Sequence, residues 1–335
     1  MNILVTGGLG VNGCWVTREL LEIGHNPIVF DIRPDFSLVS DISNDIEVVL
    51  GDVSDSAAVL RALKHHQIER ICHLAAIYPD AADQNPVRGF QINASTTVQI
   101  MEAARIMEVD RVVFTSSIAA LSPITPEYLG SGARPIAEDF PAYPSGGSVY
   151  GATKVASELM GLNYERLYGI KFVALRFATI YGPGKNAPRH GNINVVWNRI
   201  MEHALLGKPL RFDKGGDDSY DMTYSRDVAH SVVLGCLAQR PLHSVFHIGS
   251  GRSHTLREFV DSVKEIIPSA PLEVGPGQTE PTGLQGQLAA NPGWLFDTSR
   301  AKTELGYEAQ YLPREAVKDW LHWLERLNLE IVPSD

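Results

Sequence analysis

The amino-acid sequence predicts an α/β protein: a doubly wound parallel sheet of about seven strands with a small C-terminal lobe. Three observations point there. The first half alternates short apolar runs with amphipathic helical patterns. The segments joining those runs are too long for hairpins, which calls for parallel strands covered by helices on both faces. From about Gly182 the texture changes, with proline, glycine and asparagine crowding 182–194, a tight loop at Gly215-Gly216-Asp217-Asp218, and a Pro/Gly-rich stretch over 268–293.

The elements follow in order. Residues 2–5 form an apolar run, as a strand buried on both faces of a parallel sheet must. A glycine-rich turn and a helix over 12–22 come next. Further strands fit 27–30, 46–50, 70–74 and 111–115, with helices over 56–65 and 90–107 between them. A long helix over 150–168 leads into a sixth strand at 172–176. A seventh fits 245–248, closed by Gly249-Ser250-Gly251. Thr255 and Glu258 have the spacing of a capping box that opens a helix to about Ile267. This pattern places the sheet domain at 1–183, with 222–250 returning to it, and the lobe at 184–221 and 252–335.

The totals narrow the function. With 335 residues and 44% apolar content the chain can bury a sizeable core. A net charge of -10 argues against nucleic acid or an anionic membrane as partner. Cys14, Cys72 and Cys236 are odd in number and far apart, so they read as small core residues in a reducing compartment, with no metal site. The sequence shows neither a signal peptide nor a run of about 18 apolar residues, and the expected location is cytoplasmic.

The chemistry begins at the first turn. Gly7, Gly10 and Gly13 let the chain turn sharply and bring backbone close to a ligand. The following helix aims N–H groups and its positive dipole end at that turn, a site for a pyrophosphate. Asp31, directly after the second strand, can accept hydrogen bonds from ribose hydroxyls and repels a 2′-phosphate, which favours NAD over NADP. Arg33 weighs against that preference, since a guanidinium can hold a phosphate. Asp52, after the third strand, stands where an adenine amino group could be read. A second constellation is Tyr150 and Lys154, whose i,i+4 spacing puts phenol and ammonium on one helix face. The ammonium is expected to lower the phenol towards the working range of a general acid/base. Thr115-Ser116-Ser117 closes the fifth strand on the side of the sheet where ligands bind, so a serine hydroxyl there can polarise the same substrate oxygen.

Taken together, these motifs resemble the extended short-chain dehydrogenase/reductases of the NAD-dependent epimerase/dehydratase group. The matching residues run from Thr6-Gly7-Gly8-Leu9-Gly10-Val11-Asn12-Gly13 through Asp31, Gly51-Asp52-Val53 and His73-Leu74-Ala75-Ala76. They continue with Asn93, Thr115-Ser116-Ser117, Tyr150–Lys154, Leu175-Arg176 with Tyr181-Gly182-Pro183-Gly184, Phe246-His247-Ile248-Gly249, and Asp297-Thr298-Ser299-Arg300-Ala301. The resemblance implies a Rossmann-type sheet, NAD as cofactor, and a homodimer through the helices near 93–107 and 150–168. It implies catalytic roles for Ser117 (rather than Ser116), Tyr150 and Lys154. It extends the cofactor set to Val11, Asn12, Val53, Leu74, Ala75, Ala76, Asn93, Thr115 and Tyr181.

The sequence also departs from that family. Nucleotide-sugar members usually carry an asparagine where Thr179 stands and an arginine where Tyr220 stands, both of which help to hold a diphosphate. Arg199 or Arg211 could take over that role. Ser117 is followed by Ile118-Ala119 rather than the Asp-Glu pair of a 4,6-dehydratase. The reading that follows is an oxidoreductase moving hydride between NAD and a secondary alcohol or ketone of a small non-nucleotide substrate, sugar-like or cyclic. Tyr78, Ser117, Thr179, Trp197, Tyr220 and Tyr224 are candidates to line its pocket, plain packing being the competing reading for the aromatic ones. A nucleotide-sugar epimerase and a non-catalytic NAD-sensing protein are the alternatives.

Overall fold

The computed structural model describes residues 1–130, 132–143, 148–184, 196–239, 241–279 and 293–331. The segment 185–194, and 280–292 of the Pro/Gly-rich stretch, lie outside these. Seven parallel strands form the central sheet: β1 (Asn2–Thr6), β2 (Asn26–Asp31), β3 (Glu47–Leu50), β4 (Arg70–His73), β5 (Arg111–Ser117), β6 (Lys171–Phe177) and, later in the chain, Val245–Ile248. Their spatial order is β3-β2-β1-β4-β5-β6 followed by Val245–Ile248. The order reverses between β1 and β4, and such a switch point leaves a crevice at the carboxyl ends of the strands.

Period-two alternation distributes the side chains to two cores. Ile3 and Val5 of β1, Val113 of β5, and Val173, Leu175 and Phe177 of β6 enter one core with helices Gly13–Glu22 and Ser225–Leu237. Leu4, Val112, Phe114, Phe172 and Ala174 enter the other, with helices Ser56–His65 and Thr96–Ile106. The three cysteines are buried core residues and none of them is in a disulfide.

The helix expected over 90–107 is interrupted. It runs as Pro86–Phe90, a π-helical turn at Gln91–Ser95, then Thr96–Ile106. The turn has a tertiary cause. Asn93 accepts from Ile77 N–H at 2.8 Å and donates to Ile77 O at 3.0 Å, while its own carbonyl takes the hydroxyls of Thr97 and Ser157.

Beyond β6 the remaining strands are short: β7 (Thr179–Tyr181), β8 (Leu210–Phe212), β9 (Ser219–Tyr220) and β10 (Met222–Tyr224); the sheet strand Val245–Ile248 is β11; then come β12 (His254–Thr255) and β13 (Leu272–Val274). Around them lies a third core of large aromatics. Trp197 stacks on Phe259 with centroids 4.2 Å apart, and Tyr181 meets Trp197 edge-on at 4.7 Å. Thr255 caps the helix Leu256–Ile266 by accepting from Glu258 N–H at 3.1 Å, but the Glu258 carboxylate pairs with Arg252 and His254. Ala301, Leu305, Tyr307, Trp323 and Leu327 join the core beneath the sheet rather than this third core. Helix Pro313–Arg326 thereby reaches the first helix: the Arg18 guanidinium lies 4.9 Å from the Trp15 ring and 4.4 Å from the Trp323 ring, and pairs with Asp41 at 2.6 Å. Among the described residues no helix is long and apolar enough to cross a membrane.

Candidate active site

A cavity of about 520 Å³ opens at the switch point, walled on one side by the turn that follows β1. Two glycines are obligatory there. Gly7 has φ +70°, and a Cβ on Gly13 would stand 2.1 Å from the Gly7 carbonyl oxygen. The Thr6 hydroxyl ties this turn to the next wall by accepting the N–H groups of Leu74 and Ala75, each at 3.2 Å. Its own proton therefore goes to His73 Nδ1, 2.8 Å away. Burial, with the Lys154 charge adding to it, pushes the His73 imidazole down to about 3 and keeps it neutral.

The helix Gly13–Glu22 has no side-chain cap and no acidic residue in its first turn. Asn12, a candidate helix cap from its position, does not cap it, and its Oδ1 is buried with no partner on the cavity wall. Unpaired polarity and a positive helix end around a cradle that a Cβ would fill suit the pyrophosphate of a dinucleotide. Asp31 braces the same turn, Oδ2 accepting from Leu9 N–H at 3.1 Å and Oδ1 from Arg33 N–H at 3.2 Å. Each carboxylate oxygen keeps a lone pair for a ribose hydroxyl. Asp52 also lines the wall, but its Oδ1 already takes both the N–H and the hydroxyl of Ser54.

At the other end of the cavity stand Tyr150 and Lys154. Ser148 caps their helix, Val149–Tyr168, by accepting from Gly151 N–H at 3.1 Å, and Asp83 takes the Val149 N–H at 2.8 Å. Lys154 is buried; its Nζ donates to Thr115 O at 2.6 Å and lies 5.2 Å from the centre of the Tyr150 ring. Burial pulls this ammonium down to about 7, opposed by the Glu158 charge. The Ser117 hydroxyl hydrogen-bonds the Tyr150 phenol. The expectation that Lys154 lowers the phenol is not met. Burial pushes Tyr150 up to about 12, with only the Ser117 bond opposing, and the Lys154 ammonium donates to a backbone carbonyl rather than to the phenol.

Most of the residues singled out from the sequence share this cavity. Gly7, Gly10, Val11, Asn12 and Gly13 form one wall, with Asp31, Arg33, Asp52 and Val53 beside them. Leu74, Ala75, Ala76 and Tyr78 form the opposite wall, leading to Thr115, Tyr150 and Lys154. The others are elsewhere. Asn93 supports the wall from behind through the Ile77 peptide. Ser117 touches Tyr150 without lining the cavity itself, and Ser116 lines it instead. Tyr181, Trp197, Tyr220 and Tyr224 are buried in the third core, and Thr179 sits in β7, paired with Met222 of β10. Rings in a lobe find burial most readily against one another. Neither of the two arginines considered as substitutes lines the cavity; Arg211 instead pairs with Asp213 at 2.9 Å.

The sequence reading missed Arg88, Ile92 and Ile180 on the wall, and Glu158 behind it. Arg88 and Ile92 share the i,i+4 spacing of one helix face, and Glu158 continues the face of Tyr150 and Lys154, so spacing alone contained a signal for them.

A model of the NAD dependent epimerase/dehydratase family matches residues 3–249. UDP-glucose 4-epimerase of Mycolicibacterium smegmatis is 30% identical over 325 residues, 95% of this chain and 96% of that one. UDP-glucose 4-epimerase of Corynebacterium glutamicum is 28% identical over 332 residues, covering 93% and 92%. The crystal structure of UDP-glucose 4-epimerase from Thermotoga maritima with UDP-glucose matches with a TM-score of 0.78 at 25% identity, covering 98% of this chain and 100% of that one.

Proposed function

Because this chain belongs to the NAD dependent epimerase/dehydratase family, we propose that it oxidises or reduces a small sugar-like or cyclic substrate carrying no nucleotide. The observation that carries the reading is the placing of Tyr150, with Ser117 against it, and Lys154 at one end of a cavity whose other end is the glycine turn. NAD supplies the hydride acceptor or donor at its nicotinamide ring. The chain's own residues do the rest. Gly7, Gly13 and Asp31 hold the dinucleotide, and Ser117 and Tyr150, already hydrogen-bonded to one another, address a single substrate oxygen. A phenol held near 12 is protonated at neutral pH, so Tyr150 Oη is set to donate to a carbonyl oxygen. In the opposite direction Tyr150 accepts the alcohol proton only in its deprotonated form, which alkaline pH favours.

The lobe supports a substrate without a diphosphate. Tyr220 stands where a nucleotide-sugar enzyme of the resembled type has an arginine, and it is buried and hydrogen-bonded to Asp218. Asp218 also takes the Thr279 hydroxyl at 2.5 Å and is itself buried. The second reading, a UDP-sugar 4-epimerase, is favoured by likeness to relatives of that name along nearly the whole chain. The exposed Leu159, Met160, Leu167 and Tyr168 on the helix Val149–Tyr168, with exposed Ile106 at the end of the helix Thr96–Ile106, support a homodimer as part of the proposal.

Two measurements decide. Net NADH formation or consumption with free sugars, sugar acids or alicyclic alcohols supports the dehydrogenase; turnover of UDP-sugars without net NADH overturns it in favour of the epimerase. Tyr150→Phe is expected to lower turnover about a thousandfold while NAD affinity stays within about threefold. Undiminished turnover in that variant removes the mechanism.

A further inference from the structure

Glu158 is a buried carboxylate, 3% exposed, that the proposed chemistry does not use. It lies one turn beyond Lys154 on the helix Val149–Tyr168. Three groups converge on it. Ser116 Oγ donates to Oε1, Arg176 Nε donates to Oε1 at 2.9 Å, and Arg176 Nη2 donates to Oε2 at 2.7 Å. Ser116 comes from β5 and Arg176 from β6, so one side chain on the helix grips two adjacent strands. The neighbours of Ser116 on β5 are Thr115, whose carbonyl holds the Lys154 ammonium, and Ser117, whose hydroxyl bonds the Tyr150 phenol.

We infer that Glu158 is a positioning residue: it fixes the register between β5 and the helix carrying Tyr150 and Lys154, and its carboxylate is the negative charge that the buried Lys154 ammonium faces. The inference rests on the roles proposed for Ser117, Tyr150 and Lys154. The other groups around that ammonium do not replace it. On β4, His73 is held neutral; on the same helix, Tyr150 is a neutral phenol; on β5, Phe114 offers only its ring face, 4.7 Å away. On β6, Arg176 is a like charge, buried and bonded to the Glu158 carboxylate. Burial drives the Lys154 proton off and the Glu158 charge opposes that, so removing the carboxylate leaves burial unopposed.

Lysine isotopically labelled at Cε reports this by NMR titration, with Lys154→Arg identifying the signal and no substrate required. In Glu158→Gln the Lys154 midpoint is expected to move down by about one pH unit or more, and in Glu158→Asp, which keeps the charge, to stay within about half a unit. Glu158→Gln strands a buried guanidinium and can prevent folding. The pair Glu158→Gln with Arg176→Met removes both charges, so a downward shift smaller than in Glu158→Gln alone is expected in a folded protein. An unmoved midpoint in a folded variant, with only the melting temperature lowered, makes Glu158 a packing residue and overturns the inference. Tyr150→Phe turnover separates this result from the proposed function: retained turnover overturns the chemistry, whereas an unmoved Lys154 midpoint overturns only the part given to Glu158.

Discussion

The cavity at the switch point and the aromatic core of the lobe both stand out in the sequence, and they are built in opposite ways. The cavity wall is made by removing side chains and burying charge: Gly13 leaves room that only a hydrogen can fill, and Lys154 is held away from water. The lobe is made by adding side chains: Tyr181, Trp197, Tyr224, Phe259 and Trp320 pack ring against ring. A residue type forced by the backbone is specific to its position. A ring that needs only burial is satisfied by any apolar enclosure, which is why Trp197 and Tyr220 turned out to be core.

Substitutions in the two regions should therefore separate stability from binding. The largest effect is expected at Trp197→Ala, which should lower stability by about 3 to 5 kcal/mol in denaturant unfolding and leave calorimetric NAD affinity within about twofold. A large loss of NAD affinity there would join the two regions. Lys154→Met should act in the reverse sense, raising stability by on the order of 3 kcal/mol at neutral pH while turnover disappears. The sign follows from the depressed folded value of about 7. Between pH 7 and the ordinary lysine range the unfolded chain binds more protons than the folded one, so the native protein gains stability as pH rises. The advantage of Lys154→Met should thus be greatest below pH 7 and shrink across that window, as paired melts at several pH values will show. Smaller still, Gly13→Ala should weaken NAD by about thirtyfold, roughly 2 kcal/mol, since its Cβ collides with the Gly7 carbonyl and displaces the helix end. Unaltered NAD affinity in this variant would detach the turn from the cofactor.

Much of the architecture was legible because it depends on local pattern. All seven sheet strands fall where short apolar runs lie, and the glycine turn, Asp31 and Tyr150–Lys154 are spaced by the fold itself. What escaped depends on partners distant in sequence. The π-turn at Gln91–Ser95 exists because Asn93 holds the Ile77 peptide, which no local propensity announces. The elevated Tyr150 phenol reflects burial, which the i,i+4 spacing to Lys154 does not reveal. Ser116 and Ser117 are adjacent in sequence, yet one turns to Glu158 and the other to Tyr150 because successive strand residues face opposite ways.

The clasp of Trp15, Arg18 and Trp323 carries a consequence for biosynthesis. The helix behind the glycine turn leaves the ribosome early, but the ring that covers Arg18 belongs to Pro313–Arg326, far later in the chain. Until that helix emerges, Trp15 and Arg18 lack the Trp323 ring that packs against them. The helix behind the glycine turn can thus complete its packing only once Pro313–Arg326 has been made.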